Sequence, residues 1–313
     1  MTQLDQHTPR TVSASFASPT DVDRYGEYRI TREPGDDRPL YRFNGRITAD
    51  GSSGFRADKG RYHLYAGWFC PYAQRAVIAL KLAGLDDIVS VSYVDGTRDA
   101  RGWAFRETYG PDPVNGFTLL RDAYEATEPG FDGHVSVPTL WDRVTNTVVS
   151  NDFRGIGIDF ATQFRAFAEP AVDTYPDDLA DAIEDLDRWI GTAVTQGIAA
   201  AAGNGPDAPE QRRHLLDTFA LVDRRLARQR YLLGDRLTEA DIRLYVALVR
   251  YDLGANAGRA INTGLDAFPH LWAYARDIYS IPEFKDTTDF TTYGTLAAWR
   301  TPPNRGDQAD EVA

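Results

Sequence analysis

The stretch YHLYAGWFCPYAQRAVIALKLAGL, residues 62–85, decides how this chain is read. An apolar run ending at Gly67 reads as a strand, and the segment CPYAQRAVIALKLAG that follows has helical spacing. Pro71 fits the first position of a helix, where its missing N–H is no loss, and Gly84 supplies the stop. Cys70 therefore stands at the mouth of a helix, and it is the only cysteine in 313 residues. Just downstream, IVSVSYV (88–94) has the β-branched alternation of a second strand, so that strand, helix and strand make one βαβ unit.

Further along the chain, SVPTLWD and NTVVSND are two short apolar runs joined by RVTN, a hairpin with strands near 138–142 and 147–150. A helical pattern resumes after Asn151. From about residue 178 strand-like runs stop: Leu179, Ile183, Leu186 and Ile190 form one helical stripe, and Leu215, Phe219, Val222 and Leu226 form another. AAAAGNGPDAPE separates the two with turn residues. Thr238 and Asp241 of TEAD have the spacing of a capping box, a structural device worth about 1 kcal/mol. Residues 1–60 are polar and turn-rich and read as an N-terminal extension. The expected organisation is this extension, an α/β domain over 61–165, an all-helical domain over 178–300 and a tail over 301–313.

Composition bounds the function. A net charge of −12 repels nucleic acid and anionic membranes alike, so neither is expected as a partner. No run reaches the 18 or so apolar residues of a membrane span, and the polar start MTQLDQHTPR lacks a secretory core, which makes the cytoplasm the expected location. One cysteine excludes an intrachain disulfide, so redox chemistry at Cys70 needs a second thiol from outside. His63 and His270 have no acidic or cysteine partners at metal-ligand spacing, and no metal is expected. Lys59, Lys81 and Lys285 are the only lysines, and this Arg-dominated usage points to a GC-rich bacterial genome.

A cysteine attacks only as its thiolate, and the N–H groups and dipole of a helix N-terminus favour that anion. Cys70 is therefore expected to titrate below a free thiol. The alternative is a small buried side chain with no chemistry. Pro138, just before a strand, fits a strand start or a cis bond; with a cis bond, the Val137 backbone would offer its N–H and C=O to a peptide-like ligand.

RYHLYAGWFCPYAQRAVIALKLAGL, RGWAF, GHVSVPTLWD, VVSND and YLLGDRLTEADIRLYVALVRYD occur in an order that resembles the xi-class glutathione transferases, or glutathionyl-hydroquinone reductases, over residues 58–290. The resemblance implies a thioredoxin-like N-terminal domain, an all-helical C-terminal domain and a homodimer. It also implies a cysteine that strips a glutathionyl group from a hydroquinone through a mixed disulfide. Carried over, Cys70 is the nucleophile; Trp103, Val137, Pro138, Asn151 and Asp152 hold the thiol. Phe69 and Tyr72, with Trp68 and Trp103, suit a flat aromatic ring. Asp152 stands where the family has a glutamate for the γ-glutamyl end; its other reading is a helix cap.

The chain also departs from the family. His134 replaces an arginine and Phe153 a serine, while Val194 and Ala255 fall where the family has tyrosines, leaving Tyr251 and Tyr293 as the nearest phenols. With a fixed charge and a hydroxyl gone, glutathione is put in doubt as the small-thiol co-substrate, and another low-molecular-weight thiol, such as the sugar-based mycothiol, is the expected partner. Two other readings stay open: an omega-like thiol transferase acting on mixed disulfides, and a non-catalytic binding protein on the same fold.

Overall fold

Strand Tyr62–Ala66 is buried at all five positions, because it lies inside a four-stranded sheet with a strand on either edge. The computed structural model describes residues 15–30, 37–39, 41–292 and Trp299. Helix α1 (Val22–Tyr25) comes first, then a two-residue parallel pair, β1 (Ile47–Thr48) and β2 (Phe55–Arg56). The sheet is built from β3 (Tyr62–Ala66), β4 (Ser90–Tyr93), β5 (Thr139–Asp142) and β6 (Thr147–Ser150). Its order is β4-β3-β5-β6, with β3 parallel to β4 and antiparallel to β5, and β5 antiparallel to β6. Helix α2 (Pro71–Leu82) crosses from β3 to β4, α3 (Arg121–Thr127) precedes the hairpin, and α4 (Phe153–Gln163) follows it. This is the thioredoxin-like arrangement expected from the sequence.

The second half is helical. Helix α5 (Ala180–Trp189) continues through a π-helical stretch, Ile190–Gln196, into α6 (Gly197–Ala201); α7 (Ala208–Leu226), α8 (Glu239–Arg250), α9 (Pro269–Tyr279) and α10 (Pro282–Lys285) complete it. The stripe Leu215, Phe219, Val222 and Leu226 is buried as its spacing requires, and so are Ile183 and Ile190, while Leu179 and Leu186 are half-buried. The Thr238–Asp241 capping box opens α8, and Asp241 accepts further bonds from Leu232 N–H (2.8 Å) and the Tyr274 hydroxyl (2.9 Å). Among the described residues, no helix is long and apolar enough to cross a membrane.

Helix α2 belongs to both cores. Ala73, Ala76, Val77 and Leu80 pack against the sheet, whereas Ile78, Ala79 and Leu82 join the helical cluster with Leu215, Phe219 and Tyr245. Cys70, at its N-terminus, is thereby anchored by two hydrophobic interiors at once.

The extension does more than lead into the sheet. Gly45 N–H donates to Val149 O (3.0 Å) and Asn151 N–H to Phe43 O (2.8 Å), so this segment covers the open edge of β6. A Cβ on Gly45 would stand 2.7 Å from Val149 O, which is why glycine occupies this close approach. Asp159 of α4 ties the segment down by accepting from Arg46 Nη2 (2.6 Å) and Ile47 N–H (2.7 Å).

Candidate active site

Cys70 is the N-cap of α2, with φ −89° and ψ 119°. Its Sγ accepts from Ala73 N–H at 3.5 Å and donates to Val137 O at 3.3 Å. The Val137–Pro138 bond is cis, as anticipated. Yet the side chain is buried, the residue being only 8% exposed, and burial pushes the thiol above its ordinary pKa. The N–H groups of Ala73 and Tyr72 and the positive charge of Arg250 pull it back down without reversing the shift. The expectation of a thiol titrating below a free cysteine is therefore overturned: desolvation outweighs the helix N-terminus. Alkylation by iodoacetamide should inflect above the ordinary value of about 8.5 and move higher still in Arg250→Gln. A resting-state inflection below about 8.5 would contradict this balance.

Cys70 forms part of a cleft of ≈ 210 Å³ together with Val137, Ser136, Asn151, Phe69, Trp103, Arg98, His134 and Tyr41. Trp103 stacks on Phe69 with ring centroids 4.2 Å apart. The Arg98 guanidinium lies 4.3 Å from the Trp103 centroid and 4.2 Å from that of Tyr28, two aromatic faces that fix it in place. His134 Nδ1 meets the Tyr28 hydroxyl at 3.0 Å, and burial together with Arg98 lowers its pKa, favouring the neutral ring. The sequence argument that His134 removes a fixed charge is thus only locally right, because Arg98 brings a guanidinium to the same cleft. Ser136 Oγ and Asn151 Oδ1 are buried there without hydrogen-bond partners. Such atoms are costly unless a ligand or water completes them.

The other candidates divide. Asp152 does not line the cleft; it caps α4 by accepting from Arg154 N–H (3.1 Å), so the helix-cap reading is the one observed. Tyr72 stacks on Phe153 at 4.3 Å, and this pair borders both the thiol cleft and a second chamber of ≈ 230 Å³ between α2, α5 and α8. Phe69 lies on the thiol side. Trp68 stacks on Tyr93 and lines a separate crevice, away from Cys70. Tyr251 cannot serve a substrate: it is fully buried, donates to Asn262 Oδ1 (2.6 Å) and packs on Phe219. The π-helical turn that begins at Tyr251 directs the ring into the helical core. Tyr293 lies outside the described residues. Sequence reasoning missed Arg98, Tyr28 and Tyr41; for the two tyrosines the signal was the aromatics within the extension read as polar and turn-rich, and Arg98 gave none.

The second chamber has an ionic wall. Asp187 of α5 sits against Arg243 Nη1 of α8, Arg154 Nε of α4 (3.1 Å) and Arg75 of α2 (3.9 Å). Glu239 faces Arg75 (3.4 Å) and Arg243 Nε (3.5 Å). Burial, with repulsion from Arg243, lowers the Arg75 pKa to about 10.

The glutathione S-transferase N-terminal domain model matches residues 69–162, and the C-terminal domain model matches residues 176–277. The chain is 35% identical over 262 residues to glutathionyl-hydroquinone reductase YqjG of Escherichia coli strain K12, covering 79% of either protein. The glutathione-bound structure of E. coli YqjG superposes with a TM-score of 0.76 at 34% identity, over 80% of this chain and 86% of that one. A glutathione transferase structure from Gordonia bronchialis gives a TM-score of 0.78 at 35% identity, over 85% and 91%.

Proposed function

The chain belongs to the xi-class glutathione transferases, the family of the glutathionyl-hydroquinone reductases, and from that premise we propose that it removes a thiol adduct from a hydroquinone-type ring through Cys70. Residues 61–165 would form the thiol-binding domain and 178–300 the substrate domain of a cytoplasmic homodimer, whose mass light scattering can check. The observation that carries the reading is the position of the lone thiol: at the mouth of α2, in a cleft whose walls hold two unsatisfied polar atoms.

In the proposed reaction the Cys70 thiolate attacks the sulfur of the thioether adduct. The carbon–sulfur bond breaks, its electron pair stays with the ring carbon, and that carbon takes a proton to give the free hydroquinone. Cys70 is left in a mixed disulfide with the small thiol. A second small thiol, as thiolate, attacks the small-thiol sulfur of that disulfide; Cys70 leaves and takes back a proton, and the two small thiols depart as a disulfide. The Val137 carbonyl now occupied by the thiol proton is the group a peptide-like ligand would claim, so binding itself loosens the proton from Sγ.

Arg98 supports glutathione as the thiol, since a guanidinium held between two rings suits a carboxylate. Mycothiol is the second reading, favoured by neutral His134, by Phe153 in place of a hydroxyl, and by a cleft lined by no carboxylate. Calorimetric titration separates them. Glutathione should bind more tightly than mycothiol and lose about tenfold or more in Arg98→Gln, as expected for a hydrogen bond to a charged group. Tighter mycothiol binding, unaffected by that substitution, would favour the sugar thiol.

A further inference from the structure

The second chamber does not resemble a pocket built for a neutral ring. Its walls include Tyr72, Phe153, Ile190, Ile198 and Val246, enough apolar surface for one aromatic ring. The remaining lining is strongly basic: Arg75, Arg154, Arg243 and Arg250 all border it, against Asp187 alone. Counting Glu239 behind that wall, four guanidinium groups face two carboxylates in a protein whose net charge is −12.

Arg243 is the informative member. Its side chain is 1% exposed, and Nε, Nη1 and Nη2 all lack an aligned hydrogen bond, although Nη1 and Nε lie at ion-pair distance from Asp187 and Glu239. Asp187 Oδ2 and Glu239 Oε2 are likewise buried without an aligned partner, and because Asp187 is shared with Arg154 and Arg75, these two carboxylates are outnumbered by the buried guanidinium donors around them. Buried donors in this state call for an acceptor. Nor does the chamber offer phenols for a hydroquinone's hydroxyls beyond Tyr72: Val194, at a position where the family has a tyrosine, is fully buried in the helical core.

Resting on the reductase reading above, we infer that the second chamber is an anion subsite that selects aromatic substrates bearing a carboxylate on the hydroquinone ring. The ring lies beside Tyr72 and Phe153, and the carboxylate meets Arg243 with Arg154 at the chamber's rim. A low-dielectric wall with excess positive charge magnifies that preference and steers anions into an otherwise acidic surface. The same charge stabilises electron density on the ring as the carbon–sulfur bond breaks.

Binding to the full-length Cys70→Ser protein tests this without turnover. Calorimetry should show 2,5-dihydroxybenzoate binding at least about tenfold tighter than hydroquinone. Arg154→Gln, a change at a half-exposed position, should cut that ratio several-fold; Arg243→Gln should abolish the ratio if the variant folds. Equal affinities for the two ligands, or a ratio indifferent to Arg154→Gln, would overturn the subsite. Wild-type turnover of the uncharged glutathionyl-hydroquinone separates the two ideas: turnover with no binding preference rejects the subsite alone, and a preference without turnover rejects the reductase reading while the subsite stands.

Discussion

Replacing Cys70 with serine lowers hydroquinone release to the uncatalysed rate, an expected loss of about a thousandfold or more. The reason is chemical: a serine oxygen forms no disulfide-like intermediate, and its pKa keeps it protonated at neutral pH. The fold should be nearly unchanged, because an Oγ can keep the bonds to Val137 O and Ala73 N–H that Sγ makes and the change in volume is small. Chromatographic assay of the released hydroquinone, paired with thermal unfolding, reads both quantities. A serine variant within tenfold of the parent would remove the covalent step, and a parent protein that binds small thiols but never releases product would leave the non-catalytic binder as the better account.

Asp187→Asn should cost about 3–5 kcal/mol of stability without altering side-chain volume. Asp187 is 4% exposed and lies among Arg75, Arg154 and Arg243, drawn from α2, α4 and α8, so it joins the sheet domain to the helical one. Neutralising it leaves two buried guanidinium groups, those of Arg75 and Arg243, to share Glu239. Burial first, and repulsion from Arg243 second, already lower the pKa of Arg75. Urea unfolding followed by tryptophan fluorescence would measure the loss as a lower midpoint; a change under about 1 kcal/mol would mean that the cluster is solvated and not a clamp.

The elements with local signals were legible in the chain. Pro71 and Gly84 bracketed α2, the RVTN hairpin placed β5 and β6, and the stripe from Leu215 to Leu226 marked a buried helix face. The cis bond before Pro138 was one of two readings its place allowed, and the local sequence did not choose between them. Tyr251 follows Leu244 and Leu248 at the spacing of a buried stripe, so its period already pointed into the core; it was named as a substrate phenol only because the family's tyrosines are missing. The other failures depended on distance in sequence. Arg98 and Tyr28 meet across seventy residues. The pKa of Cys70 was misjudged because the helix N-terminus is visible in sequence, whereas the depth of burial that opposes it is not.

The bond from the Cys70 thiol to the Val137 carbonyl bears on how long each molecule survives in a peroxide-containing cell. Only a thiolate is readily converted to sulfenic acid, and a second oxidation carries it to sulfinic acid, from which few proteins return. This chain has no other cysteine to trap the first product as an internal disulfide. A sulfur that idles protonated and out of water, and sheds its proton only when a ligand takes Val137, spends its vulnerable moments beneath a bound thiol able to rescue it. Wear on the protein is then set by how often it works, and hardly at all by how long it waits.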